Sequence, residues 1–178
     1  MKDIQVITGC MFAGKTTELI SRLKKTKKNY LLVKPKLDNR DAGDQVCTHA
    51  GFSEKAQRVD KLSDIFVKLA DVQVVGVDEA QFFSDSIIQD IEYLALNNIK
   101  VIVAGLEKDY LDKPFGPMNS IIQMASSVIR LKASCTRCLA PATHSYRKVD
   151  QIKEQLLIGS EKIYEALCTQ CFQKINKK

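Results

Sequence analysis

The segment Gly9-Cys10-Met11-Phe12-Ala13-Gly14-Lys15-Thr16 satisfies the phosphate-loop pattern G-x-x-x-x-G-K-[ST] at every fixed position. Glycines at its ends let the backbone curl until successive N–H groups point inward and hold phosphate oxygens. A helix starting at the loop adds the positive end of its dipole. Lys15 can bridge the outer phosphates, and the Thr16 hydroxyl suits Mg²⁺. Asp78 closes the apolar run Val72–Val77, the place of a metal-organising carboxylate in phosphate-loop proteins. Glu79 follows at once and projects in another direction, so it can accept a proton from an attacking hydroxyl or water. The two motifs point to nucleotide binding and phosphoryl transfer. They leave open whether the acceptor is water, a protein, a nucleic acid or a small molecule.

A second chemistry lies near the C-terminus. Cys135-Thr136-Arg137-Cys138 and Cys168-Thr169-Gln170-Cys171 are both C-x-x-C pairs, with residues 139–167 between them. Each pair presents two thiolates to one ion, and two pairs complete a tetrahedral Zn²⁺ site with no open position. Such a zinc is structural rather than catalytic. A redox role needs one exposed pair at a helix start, and two pairs argue against it. Cys10 and Cys47 are unpaired in sequence and are expected to be free thiols. His144 lies between the pairs, but four cysteines already suffice.

The elements that must position these groups follow from periodicity. Residues 4–8 read as a buried strand, followed by the phosphate loop and a helix to about Asn29 with the stripe Leu19, Ile20, Leu23. Tyr30–Val33 is a second strand, stopped by Pro35, and Lys36–Gly51 reads as a long polar loop. Ser63 is expected to cap a short helix carrying Ile65, Phe66 and Leu69. Val72–Val77 is a strand, and Ser84 opens a helix with Ile87, Ile88, Ile91, Leu94 and Ala95 on one side. Lys100–Ala104 is another strand. The Pro/Gly-rich stretch Lys113–Pro117 leads to a further helix and a last strand near Val128–Leu131. Strands alternating with helices imply parallel βαβ units, and continuous Val/Ile runs imply strands covered on both faces. The expected core is an open α/β sheet, whose ligands bind beyond the C-terminal strand ends, where the phosphate loop and the Asp78-Glu79 pair fall.

Composition excludes several classes. The 178 residues are 45% hydrophobic and 27% charged, an ordinary globular balance. No run approaches the roughly 18 apolar residues of a membrane span, and the start Met1-Lys2-Asp3-Ile4 lacks a signal-peptide pattern. A cytosolic protein is expected. The net charge of +6 suits anionic substrates. The runs Lys24–Lys28 and Lys174–Lys178 read as a solvated helix end and a tail rather than a nucleic-acid groove.

Five separated segments carry a resemblance over nearly the whole chain. They are Gly9–Leu19, Lys34-Pro-Lys-Leu-Asp38-Asn-Arg40, Val77-Asp-Glu-Ala-Gln-Phe-Phe83, Gly105–Phe115, and the cysteine quartet enclosing Ile158, Gly159 and Tyr164. Together they resemble the type II thymidine kinase family. The resemblance implies a P-loop NTPase fold of the RecA-like kind, an open and mainly parallel sheet with helices on both faces. A nucleotide-binding domain over 1–133 would be followed by a zinc-binding lasso lobe over 134–178. It implies ATP with Mg²⁺ and thymidine as substrates, with Glu79 as general base on the 5′-hydroxyl and Arg40 near the transferring phosphates, Asp38 beside it. Met11, Gln81, Phe82, Tyr110, Phe115, Ser145 and Tyr164 would line the nucleoside site, Ser145 beside the thymine methyl. Backbone groups of Leu157, Ile158 and Gly159 would read the base. The family resemblance further implies a homotetramer inhibited by dTTP. The chain departs from the family at Cys10, where Pro is usual, and at Glu107, where Asp is common. A P-loop ATPase whose zinc lobe holds DNA or a protein uses the same phosphate and metal motifs.

Overall fold

A computed structural model describes residues 3–38, 45–47, 53–148 and 163–176. In chain order the strands are β1 (Ile4–Gly9), β2 (Tyr30–Pro35), β3 (Gln45–Cys47), β4 (Ser53–Lys55), β5 (Gln57–Val59), β6 (Val74–Val77), β7 (Lys100–Ala104) and β8 (Ser127–Leu131). The shorter β9 (Ala133–Ser134), β10 (Pro141–Ala142), β11 (His144–Arg147) and β12 (Tyr164–Leu167) follow. The α-helices are α1 (Lys15–Lys25), α2 (Ile87–Leu96), α3 (Met118–Met124) and α4 (Thr169–Asn176). None of the described helices is long and apolar enough to cross a membrane.

Six strands form one sheet in the order β5-β2-β6-β7-β1-β8, and every pairing in it is parallel. Parallel strands are covered on both faces, which is why β1, β6 and β7 are runs of Val and Ile. One face is covered by α1, whose Leu19, Ile20 and Leu23 pack on Ile7, Leu32, Val74, Ile102 and Ala104. On this side a Cβ at Gly76 would lie 2.6 Å from a Leu23 methyl, so glycine lets α1 approach β6. The other face carries α2, α3 and a 3-10 helix at Leu62–Lys68. Their Ile87, Ile91, Leu94, Met118, Ile121, Leu62 and Ile65 meet Ile4, Val6, Val33, Val75, Val77, Val101 and Val103. Each such side chain contributes about 1.5–3 kcal/mol when fully buried. The expected parallel α/β sheet with helices on both faces is what forms.

Several boundaries differ from the sequence expectation, each for a local reason. Helix α1 stops at Lys25 rather than near Asn29. The Thr26 hydroxyl donates to Leu23 O at 2.8 Å and accepts the Lys28 N–H at 3.2 Å, and Lys27 turns the chain with φ 54°. The stretch read as a loop to Gly51 contains β3, which pairs antiparallel with β4, and β5 then extends the sheet beside β2. These strands are three residues each, too short for alternation to register. The helix expected to be capped by Ser63 begins at Leu62. There the Asp64 carboxylate accepts the Lys61 N–H at 3.0 Å, while the Ser63 N–H goes to Asp90 Oδ2 at 3.0 Å. Ser84 opens the turn into α2 through its carbonyl, which accepts the Ile87 N–H at 3.1 Å, not through its side chain.

Beyond β8 the chain forms two small antiparallel pairs, β9 with β10 and β11 with β12. Their apolar centre is Ala142, Ala166 and Leu167 with Cys135 and Cys168, and Cys10 of the phosphate loop joins it.

Candidate active site and four-cysteine cluster

The loop between β1 and α1 is shaped by backbone that few residues tolerate. Gly9 has φ 143° and a Cβ there would run into the Leu131 carbonyl oxygen; Gly14 has φ 82° and caps α1. Within the loop the Lys15 ammonium donates to Cys10 O at 2.9 Å. Thr16 Oγ1 donates to Asp78 Oδ2 at 2.9 Å and lies 3.2 Å from Oδ1. Thr16 lies in the first turn of α1 and Asp78 follows β6, with β7 intervening between β1 and β6. The two expected metal-associated oxygens therefore meet across one strand. Asp78 is buried and its N–H is held by Val33 O at 2.8 Å.

Glu79 has φ 51° and ψ 42°, in the left-handed region. A non-glycine residue there is uncommon, costs about 1–3 kcal/mol and is characteristic of functional sites. The reversal ends the strand and turns Glu79 into a 3-10 turn at Ala80–Phe82. Gln81, buried to 2% exposure, donates from Nε2 to Glu79 Oε2 and accepts the Leu106 N–H at 2.9 Å. An amide has two protons and two lone pairs on its oxygen, so one of each is left for a ligand once these two bonds are made.

The expected nucleoside residues come together in pairs. Phe82 and Phe115 meet edge to face, centroids 5.7 Å apart. Ser145 Oγ accepts the Met11 N–H at 3.0 Å, fastening β11 to the phosphate loop. Tyr110 and Tyr164 converge on Arg147, whose guanidinium carbon lies 3.6 Å from the Tyr110 centroid. Burial raises the Tyr164 pKa, and the charge and hydrogen bond of Arg147 oppose that rise. Arg147 escaped the sequence reading. Its signal is weak: β11 buries Ser145 and Arg147 on one face, and polar residues on the buried face hide the alternation. Arg40, Leu157, Ile158 and Gly159 lie outside the described residues. Asp38 is buried. The Glu107 carboxylate receives Arg130 Nε and Nη2 at 3.1 and 3.2 Å, and its N–H bonds Thr8 Oγ1 at 3.2 Å.

The cysteines form one cluster. The four Sγ atoms of Cys135, Cys138, Cys168 and Cys171 all lie within 4.8 Å of one another. Cys138 is 3.6 Å from Cys168 and 3.7 Å from Cys171. Zn–S bonds of about 2.3 Å place tetrahedral sulfurs about 3.8 Å apart, so the donor set fits that ion. At Cys135 desolvation pushes the thiol up, but N–H groups of Cys168, Arg137 and Cys138 outweigh it and bring the pKa to about 6. Cys171 is pushed up to about 12, first by the Cys138 side chain and then by burial. Four thiols this close cannot all ionise without a cation, and a cation removes the conflict. His144 is not in the cluster; it stacks on Phe172 at 4.6 Å and approaches Asp112 Oδ1 at 3.8 Å. Cys10 is a buried thiol whose pKa burial raises, donating to Ala142 O at 3.3 Å.

A parallel sheet, a phosphate loop, a Thr–Asp pair across the sheet and an adjacent glutamate define a P-loop nucleotide-dependent phosphotransferase, here with a four-cysteine cluster that could hold a metal ion. The sequence profile described as "Thymidine kinase" matches residues 2–172. The thymidine kinase of Bacteroides thetaiotaomicron is 40% identical over 172 residues, covering 95% of this chain and 86% of that protein. That of Bacteroides fragilis is 38% identical over 174 residues, covering 96% and 87%. That of Porphyromonas gingivalis is 36% identical over 175 residues, covering 97% and 85%. This chain belongs to the thymidine kinase family.

Proposed function

We propose that the protein transfers the γ-phosphate of ATP to the 5′-hydroxyl of thymidine. The observation that carries the reading is Glu79, set in a left-handed turn beside the Thr16–Asp78 pair and held by Gln81. From there its carboxylate can take the hydroxyl proton as the oxygen attacks phosphorus. The loop N–H groups over residues 9–16 and Lys15 hold the phosphates, and Arg40 adds positive charge. Thr16 and Asp78 are the residues that would hold Mg²⁺, which when bound neutralises charge on the phosphate oxygens. Met11, Gln81, Phe82, Tyr110, Phe115, Ser145 and Tyr164 wall the nucleoside, with the backbone at Leu157, Ile158 and Gly159 on the base edge. Aromatic walls suit a flat base, and buried polar groups reject a base with the wrong exocyclic group.

The cysteine quartet would hold a structural Zn²⁺ that orders the lobe over 134–178 against the nucleotide domain over 1–133. Met11 belongs to both the phosphate loop and the nucleoside wall through its bond to Ser145. A nucleoside carrying its own triphosphate, dTTP, could therefore span both subsites and inhibit. A homotetramer working in the cytoplasm completes the reading, on the strength of the family resemblance.

The test is ATP consumption against a panel of nucleosides, with the wild-type enzyme and Glu79→Gln. Thymidine-dependent turnover is expected. The Gln variant should lose at least about 1,000-fold in kcat while ATP still binds. ATP turnover without nucleoside would favour the ATPase reading, and near-normal kcat in the variant would remove Glu79 as base.

A further inference from the structure

Arg147 is the only arginine among the described residues that is buried, at 5% exposure, and the reaction scheme above gives it no task. It ends β11 directly opposite Tyr164 of β12. The pair is closed by the Lys148 N–H to Ile163 O at 2.8 Å. Its guanidinium carbon lies over the Tyr110 ring, 3.6 Å from the centroid, and its side chain hydrogen-bonds the Tyr164 phenol. Asp109, next to Tyr110 in sequence, is buried, with Oδ1 accepting the N–H groups of Leu111 at 2.8 Å and Lys113 at 2.9 Å.

Burying a guanidinium is costly unless its surroundings compensate it. Here the compensation comes from groups on different elements. Tyr110 comes from the segment after β7 of the main sheet, and Tyr164 from the cysteine lobe. A planar cation offers a face for cation–π contact and an edge of N–H donors at the same time, which an ammonium does not. One side chain can thus fix the relative orientation of two rings that no backbone hydrogen bond joins directly.

We propose that Arg147 is a positioning residue for nucleoside selection, holding Tyr110 and Tyr164 as a rigid pair of walls across the junction between sheet and lobe. The inference rests on the thymidine reading above. It predicts that Arg147→Lys, which keeps the charge but loses the plane, damages nucleoside recognition and spares ATP. The experiment uses full-length enzyme, with initial rates for thymidine, deoxycytidine and ATP. The variant should raise KM for thymidine about tenfold, leave KM for ATP within about twofold, and narrow the preference for thymidine over deoxycytidine. A residue serving only the fold would shift both KM values together and leave the preference intact.

Tyr110→Leu should reproduce the split between the two KM values. Adding Arg147→Lys to it should cost less than about threefold more, because the partner is already gone. Thymidine KM and preference in Arg147→Lys within about twofold of wild type would overturn the proposal, and so would an equal rise in both KM values. Should that variant not fold, an unchanged thymidine KM in Tyr110→Leu would overturn it instead. Wild-type enzyme that ignores thymidine would overturn the thymidine reading, and this inference with it, before any variant is measured.

Discussion

Replacing Gln81 by leucine keeps the bulk of a side chain that is 2% exposed and removes both of its hydrogen bonds. The Leu106 N–H, bonded to Gln81 Oε1 at 2.9 Å, would be left buried without a partner, costing about 1–3 kcal/mol. The bond to the Glu79 carboxylate is charge-assisted, but Glu79 is half-buried and water can take over part of the loss. Together about 2–4 kcal/mol of stability should go. For a chain of this size that is a fall in Tm of roughly 4–15 °C. Function should suffer separately, because Glu79 sits in a left-handed turn and Gln81 bonds its carboxylate. A misplaced base typically costs up to about 100-fold, so kcat should drop about 10- to 100-fold with KM for ATP nearly unchanged. Gln81→Glu sets a second carboxyl against Glu79 at a buried site. The two cannot both ionise at that distance, so one holds a proton, and kcat should fall with its pH profile shifted upward relative to wild type. The assays are thermal unfolding by circular dichroism and coupled ADP release at saturating substrates. A leucine variant with wild-type kcat and a lowered Tm would refute the positioning role. Unchanged Tm would refute the hydrogen-bond reasoning itself.

Thr16→Ala removes the hydroxyl that bonds Asp78. It should cut kcat/KM about 100-fold, about 2.7 kcal/mol of transition-state stabilisation, and raise the Mg²⁺ concentration needed for half-maximal rate. A magnesium titration of initial rates reads both. Elemental analysis should find one Zn²⁺ per chain, and the pair of substitutions Cys168→Ser and Cys171→Ser should abolish it. That double variant should also bind ATP more weakly, since Cys10, Phe12 and Ala13 of the phosphate loop pack into the same cluster. Calorimetric ATP titration would show it, and wild-type affinity would refute the coupling.

What the sequence made legible was whatever chemistry or burial writes in fixed spacing. The Thr16 and Asp78 motifs, the quartet and the parallel Val/Ile strands all fall in that class, and the structure brings each set together. Two kinds of feature were not legible. Short polar strands such as β3, β4 and β5 give no alternation, because three residues cannot complete a period of two convincingly. Long-range side-chain bonds leave no trace of spacing at all. Nothing in the order of residues says that Gln81 ties Glu79 to Leu106, or that Arg147 lies on Tyr110. The left-handed backbone at Glu79 was hidden for a related reason: glutamate has no preference for it, so the surrounding turn must impose it.

An ion held by the cysteine quartet would bear on the chemistry without taking part in it. Among the described residues the lobe after β8 buries Ala142, Tyr164, Ala166 and Leu167 with Cys135 and Cys168, and Tyr146, Phe172 and Ile175 pack on it partly buried. A bound ion would add folding free energy to this small core. What that core secures is visible at two atoms of the phosphate loop. The Cys10 thiol donates to Ala142 O at 3.3 Å and the Met11 N–H to Ser145 Oγ at 3.0 Å. Both partners lie between the two cysteine pairs in sequence. The first half of the loop is thereby fixed from outside, while its second half is fixed by α1 and by Thr16 on Asp78. Cysteine at position 10 fits this arrangement, since its small side chain packs among the lobe residues while its S–H reaches a carbonyl that a proline could not. On the proposed reading, in which Ser145 and Tyr164 contact the nucleoside, the same lobe also sets the shape of the phosphate loop, and binding at one subsite should be felt at the other.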